Sequence, residues 1–263
     1  MSQSNIARPI LTSTDCRHWP LIWWPTQWPR SLRLPRRLHW PPKLQPQPFR
    51  SSSRSALIRW ISVSYPISTV PSNVTGVTFI VTALAAKRLE LLRELAPSAT
   101  IIGFLINPGN PTSESQTRDA QVAARVLGVE LLIMNANSER NIDAAFASFV
   151  QQRVSAVIVG ADSLFVSRRD QLVGLTERHS MPAIYFLREF ADIGGLMSYG
   201  ASQADAYRLA GSYTARILKG EKPATLPIQQ TAKVEFVINL KTATELGLDV
   251  PPTLLARADE VIE

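Results

Sequence analysis

From Asn73 onwards the sequence predicts an α/β fold, a parallel β-sheet with helices on both faces. Three observations lead there. Short apolar runs such as T-I-I-G-F-L-I lack polar alternation, as strands buried on both faces do. Longer segments between them carry apolar residues at helical spacing. The two kinds alternate along the chain, which implies right-handed crossovers and strands that run parallel.

The elements follow in order. Ala83–Leu95 places Leu84, Leu91 and Leu95 at helical spacing, with Pro97 beyond its end. Thr100–Ile106 is a buried strand, and Asn107–Pro111 (N-P-G-N-P) a turn in which Asn110 is a good N-cap and Pro111 a good first helical residue. That helix runs to Leu127 and stops at Gly128. Strand Val129–Met134, helix Glu139–Arg153 and strand Ala156–Val159 come next. Helix Ser167–His179, with Ser167 and Asp170 resembling a capping box, leads to strand Ala183–Phe186. After Gly194–Gly195, L-M-S-Y-G reads as a strand and Ala204–Leu218 as a helix ending at Gly220. An extended stretch (L-P-I-Q-Q-T-A-K-V-E-F-V-I-N-L), helix Leu240–Leu246 with Gly247 as its stop, and a proline-led tail complete the chain.

Residues 1–72 are of another kind. Residues 1–70 hold all six tryptophans, 10 of the 19 prolines and none of the 12 glycines. Ten basic residues there face the single acid Asp15, a net charge of +9, whereas the remainder sums to −2. Proline at that density excludes helix interiors and central strands. Two readings fit: a disordered or polyproline-like arm, or a slipped reading frame. Codon degeneracy supports the second. Read one frame over, the run W-P-P-K-L-Q-P-Q-P-F-R from Trp40 is compatible with A-A-K-A-A-T-A-T-I-P-I, which has the character of ordinary α/β protein.

Several functions lack their signatures. The basic arm is accompanied by no recognisable nucleic-acid-binding pattern, so no nucleic-acid partner is expected. Cys16 is the only cysteine and His18, His39 and His179 are scattered, so neither a disulfide nor a metal site is expected. No G-x-G-x-x-G or P-loop opens a helix, and no cofactor is expected. Ser167, Ser198 and His179 are available for catalysis, but no G-x-S-x-G elbow places them, so the chain is read as a non-enzyme. No signal peptide and no 18-residue apolar span is visible.

The segments A-A-K-R-L-E-L-L-R-E-L, N-P-G-N-P, G-G-L-M-S-Y-G, I-L-K-G-E-K-P, F-V-I-N-L-K-T-A and P-P-T-L-L-A-R-A-D-E-V-I-E together resemble the substrate-binding proteins of ABC transporters, in particular their tryptophan/tyrosine-type (TrpX-like) group. The resemblance implies a periplasmic-binding-protein-like (type I) fold of two α/β lobes that close on a small solute. It implies residues 73–198 as a nearly complete second lobe, and 199–263 as a partial first lobe plus the return to the hinge. It implies an ABC permease as partner, an amino acid or small aromatic compound as solute, and a periplasmic location. This chain departs from the family at its front, where signal peptide and first units are absent. Because such a clamp needs both lobes, weakened solute binding is expected. An untargeted lobe with a sensory or regulatory role is the alternative.

Ligands of open parallel sheets bind beyond the carboxyl ends of the strands. That selects Asn107 and Asn110 after the first strand of the lobe, Asp162 after V-G-A, and Tyr185 and Glu189 at or after the strand from Ala183. The resemblance adds Tyr199 at the crossover. Amides and carboxylates suit a polar head group, and tyrosines offer a stacking face. Each has a plainer role open to it: Asn110 and Asp162 as helix caps, Tyr185 as core, Glu189 as solvated surface.

Overall fold

A computed structural model describes residues 57–58, 74–78 and 84–263. Apart from Leu57–Ile58, both readings of residues 1–72 fall outside the described residues.

The chain order is β1 (Leu57–Ile58), β2 (Val74–Thr75), β3 (Val77–Thr78), α1 (Leu84–Leu95), β4 (Ile101–Ile106), α2 (Ser113–Leu127), β5 (Glu130–Asn135), α3 (Glu139–Gln151) and β6 (Ala156–Val159). Then come α4 (Ser163–Ser167), α5 (Arg169–Arg178), β7 (Ala183–Tyr185), α6 (Arg188–Asp192), β8 (Met197–Ala201), α7 (Gln203–Leu218), β9 (Gln229–Gln230), β10 (Val234–Asn239), α8 (Leu240–Glu245), α9 (Pro252–Leu255) and β11 (Glu260–Ile262). Seven strands form the main sheet in the order β11-β10-β8-β7-β6-β4-β5. All neighbouring pairs are parallel except β8–β10, which is antiparallel with Phe236 opposite Tyr199.

Each face of the sheet carries its own core, because successive side chains of a strand point to opposite sides. Ile102, Phe104, Ile158, Ile184, Met197 and Phe236 meet α1 and α2 on one face. Leu105, Val157, Val159 and Tyr185 meet α3, α5 and α6 on the other. Gly103 lets α3 approach closely: a Cβ there would lie 2.8 Å from the Phe149 ring.

A smaller region lies beside the sheet along the chain. β3 pairs in parallel with β9, and α7 packs on β3. Thr75 Oγ1 donates to the Leu226 carbonyl (2.8 Å) and Tyr213 Oη to that of Pro227 (2.7 Å), both buried or half-buried. The chain leaves the main sheet through β8 and returns through β10, and Ser202 N–H donates to the Lys233 carbonyl (3.0 Å) between those two passages.

Three helix ends follow the glycines. Gly128 (φ 65°), Gly220 (φ 100°) and Gly247 (φ 66°) adopt the left-handed region after α2, α7 and α8. Two expectations are corrected. The second helix starts at Ser113 with Thr112 in the cap position and no side-chain cap; Asn110 stands before it, its Oδ1 accepting from Thr112 N–H in the turn that precedes the helix. The helix expected from Ser167 begins at Ser163 and breaks at Arg168. Asp162 caps it, accepting from Leu164 N–H at 2.8 Å, and the Ser167 hydroxyl donates backwards to the Leu164 carbonyl (2.7 Å) instead of capping forwards. The tail also carries structure not foreseen: α9, and β11 paired with β10.

Candidate functional site

The parallel strands β4, β6 and β7 are adjacent, so the loops leaving their carboxyl ends share one edge of the sheet. Asn107 leaves β4, Asp162 leaves β6 and Glu189 lies in the first turn of α6, just beyond β7. The first two loops are tied together. Asn107 Nδ2 donates to Asp162 Oδ1 (2.9 Å), and Asn110 Nδ2 donates to Asp162 Oδ2 (2.7 Å) and to the Ala161 carbonyl (3.0 Å). Asn107 Oδ1 accepts from Gly109 N–H (3.0 Å), folding the N-P-G-N-P turn on itself. Asn110 Oδ1 accepts from both the N–H and the hydroxyl of Thr112 (2.9 and 2.8 Å), linking the turn to α2.

Gln116, which the sequence reading passed over, completes this arrangement. It is fully buried; its Oε1 accepts from Ala161 N–H (2.8 Å), and its Nε2 donates to the Ala161 carbonyl (3.2 Å) and to Thr112 Oγ1 (3.0 Å). The two backbone groups of Ala161 are thereby fixed from α2, and Asp162 is presented in a set orientation. Both Asp162 oxygens are occupied, so this carboxylate organises the edge.

Glu189 differs. Its Oε2 is buried and accepts no hydrogen bond among the described residues. That shielded carboxylate oxygen is left with its hydrogen-bonding capacity unused, unlike those of Asp162.

The tyrosines divide. Tyr185 is 0 % exposed, stacks on Phe190 with ring centroids 4.6 Å apart, and shares a 2.9 Å hydroxyl hydrogen bond with Thr176. Burial pushes its hydroxyl above the usual tyrosine range, opposed in part by that hydrogen bond. Tyr185 is thus core, on the face opposite α1. Tyr199 is half-buried, packed against the core on the α1 face and set edge-on to Phe236 with centroids 6.0 Å apart.

Arg88 of α1 was also passed over. It is 1 % exposed, and its Nε and Nη2 find no acceptor among the described residues. Burial alone lowers its pKa to about 10, still well above neutral, so it remains a cation.

Two hollows flank the sheet. One, of about 390 Å³, opens beside the turn at the carboxyl ends of β4 and β5, lined by Pro108, Ser113, Arg118, Ile133 and Asn135 among others. The other, about 280 Å³, lies at the amino end of β7 and β8 near Thr176, Gly194 and Thr242, away from the selected residues. Among the described residues no cluster of His, Cys, Asp and Glu could hold a metal ion, and no helix is long and apolar enough to cross a membrane.

Residues 65–262 match the family described as ABC transporter substrate binding protein. A tyrosine-binding protein of Clostridioides difficile (strain R20291) is 23% identical over 162 residues, 62% of this chain and 47% of that protein. Among solved structures, the ABC domain from Streptococcus pneumonia in complex with L-Trp is similar at 28% identity and TM-score 0.64, covering 72% of this chain and 65% of that one. The ligand-free, open structure of a substrate binding protein with adhesive properties from Clostridium difficile shares the fold at 22% identity and TM-score 0.53, covering 72% and 63%. The chain spans about half the length of the curated relative it matches.

Proposed function

The chain belongs to the ABC transporter substrate binding protein family, and from that premise we propose that it is the solute-binding component of an importer, holding an amino acid at the carboxyl edge of its main sheet. The observation that carries this reading is the single edge shared by Asn107, Asn110, Asp162 and Glu189, where three side chains are locked to one another and the fourth keeps a buried oxygen without a donor. The locked group supplies a rigid floor, and Glu189 suits the ammonium of an amino acid. Tyr199 adds an aromatic face. Tyr185 supports the edge from within the core, without contact to solute.

Residues 73–198 act as one jaw of a two-lobed clamp that closes over its solute. An ABC permease is the partner that receives it, and the periplasm is where capture occurs. A relative that binds tyrosine and a similar structure that holds L-Trp support an aromatic amino acid. The test uses ligand up to the millimolar range. Calorimetric titration with L-tryptophan, L-tyrosine and L-lysine is the experiment. Saturable heat with the aromatic pair, lost in Glu189→Gln, is expected; no preference among the three, or an unaffected variant, contradicts the reading.

A further inference from the structure

We propose that Arg88 of α1 is an anion site that receives the carboxylate of the amino-acid solute. This rests on the reading above and adds which group of the solute is recognised, and by what.

Arg88 lies on the apolar stripe of α1, three residues after Ala85 and four before Leu92, both fully buried. A guanidinium keeps its proton at neutral pH, so burying it without an acceptor is unfavourable, and an apolar side chain of similar size would pack there more stably. Its charge therefore does not serve the core.

Position supplies the alternative. α1 ends at Leu95, and β4 begins at Ile101 after a short connection, so the C-terminal end of α1 lies at the amino edge of the sheet. The helix packs along β6, β7 and β8. Its N-terminal end therefore points to the carboxyl edge, where Asn107, Asp162 and Glu189 stand. Helical side chains lean toward their own N-terminus, which sets Arg88 on the side of that edge. The nearest acid of α1 in sequence is Glu90, which pairs with Lys87 (2.7 Å). The guanidinium fork matches a carboxylate in two parallel hydrogen bonds. Arg88 and Glu189 thus give the edge one cationic and one anionic group, both shielded and both without a partner among the described residues, which is the complement of a zwitterion.

The test uses the full chain titrated with three probes: L-tryptophan, tryptamine, which lacks the carboxylate, and indole-3-propionate, which lacks the ammonium. Wild type is expected to bind tryptophan roughly 10- to 100-fold more tightly than tryptamine, the range for a hydrogen bond between charged groups. In R88M and R88K, tryptophan falls toward the tryptamine level while tryptamine is unchanged. The thermal midpoint of R88M without ligand stays level or rises, because an unpaired buried charge has been removed. Equal affinity of wild type for tryptophan and tryptamine overturns this inference alone. So does R88M binding tryptophan as wild type does, or losing tryptophan and tryptamine in parallel with a fallen midpoint, the mark of a structural arginine. Wild type that binds none of the probes overturns the amino-acid reading and this one with it.

Discussion

Asn107 and Asp162 are 55 residues apart in the chain and joined by a 2.9 Å hydrogen bond between Nδ2 and Oδ1. The bond exists because β4 and β6 are sheet neighbours whose next loops must pass one another. It joins the N-P-G-N-P turn to the cap of α4 and makes two loops behave as one surface.

Asp162→Ala removes three hydrogen bonds, from Asn107, Asn110 and Leu164 N–H, and the cap of α4. The expected loss is about 2–3 kcal/mol, read as a lowered midpoint in urea unfolding. Asp162→Asn keeps a competent cap and loses one tie, so a loss of about 1 kcal/mol is expected. Equal effects of the two variants contradict the tying role.

Three glycine-to-alanine variants rank the close approaches. A Cβ at Gly200 runs into the Phe186 carbonyl oxygen, which is backbone and cannot swing aside, so about 3 kcal/mol or more is lost. Gly103→Ala presses on the Phe149 ring, and about 1–3 kcal/mol is expected. Gly211, exposed within α7 with nothing near its Cβ, gains about 0.5–1 kcal/mol as alanine. Chemical denaturation of the three variants tests the order.

Tyr185→Phe is expected to cost about 1 kcal/mol through the lost Thr176 contact. The pH dependence has a definite sign. Burial raises the Tyr185 hydroxyl above the usual tyrosine range, more than the Thr176 hydrogen bond lowers it. The native state therefore holds this proton where the unfolded chain has released it. The group's stabilising contribution is full below about pH 10 and falls as pH rises beyond it. Stability above pH 10 should fall less steeply in Tyr185→Phe than in wild type, as seen in urea midpoints at pH 9 and 11.

Arg188 grips Glu260 with two nitrogens (3.0 and 3.1 Å) and also contacts Asp192 (3.3 Å), joining α6 to the last strand. Its side chain is 35 % exposed and that of Glu260 47 %, so screening keeps the pair small. Glu260→Gln is expected to cost less than about 1 kcal/mol, with the difference shrinking in high salt.

The alternation of helices and strands was legible because strands buried on both faces and amphipathic helices leave different apolar periods. Gly128, Gly220 and Gly247 marked helix ends because their positive φ is costly for other residues. The carboxyl-edge rule located Asn107, Asp162 and Glu189, but sequence carries nothing about which atoms remain unpaired. It therefore did not separate Asp162, whose oxygens are both occupied, from Glu189, whose Oε2 is not. Gln116 and Arg88 did leave a signal. Each interrupts an otherwise apolar stripe, Gln116 ahead of Ala120 and Ala124, Arg88 between Ala85 and Leu92. Tyr185 was ambiguous because a residue at a strand's carboxyl end can face the edge or the core, and the pleat alone decides. The β8–β10 pairing has no local signature, since antiparallel register there depends on a chain that leaves and returns through α7 and β9.

The central claim is that solute binds where the carboxyl ends of β4, β6 and β7 meet. Backbone amide NMR of the full chain, titrated with L-tryptophan into the millimolar range, tests it most directly. The account predicts saturable shifts centred on Asn107–Asn110, Asp162–Leu164 and Glu189, with the hollow near Gly194 and Thr242 unmoved. Shifts confined to that opposite edge, or none at all, would contradict it.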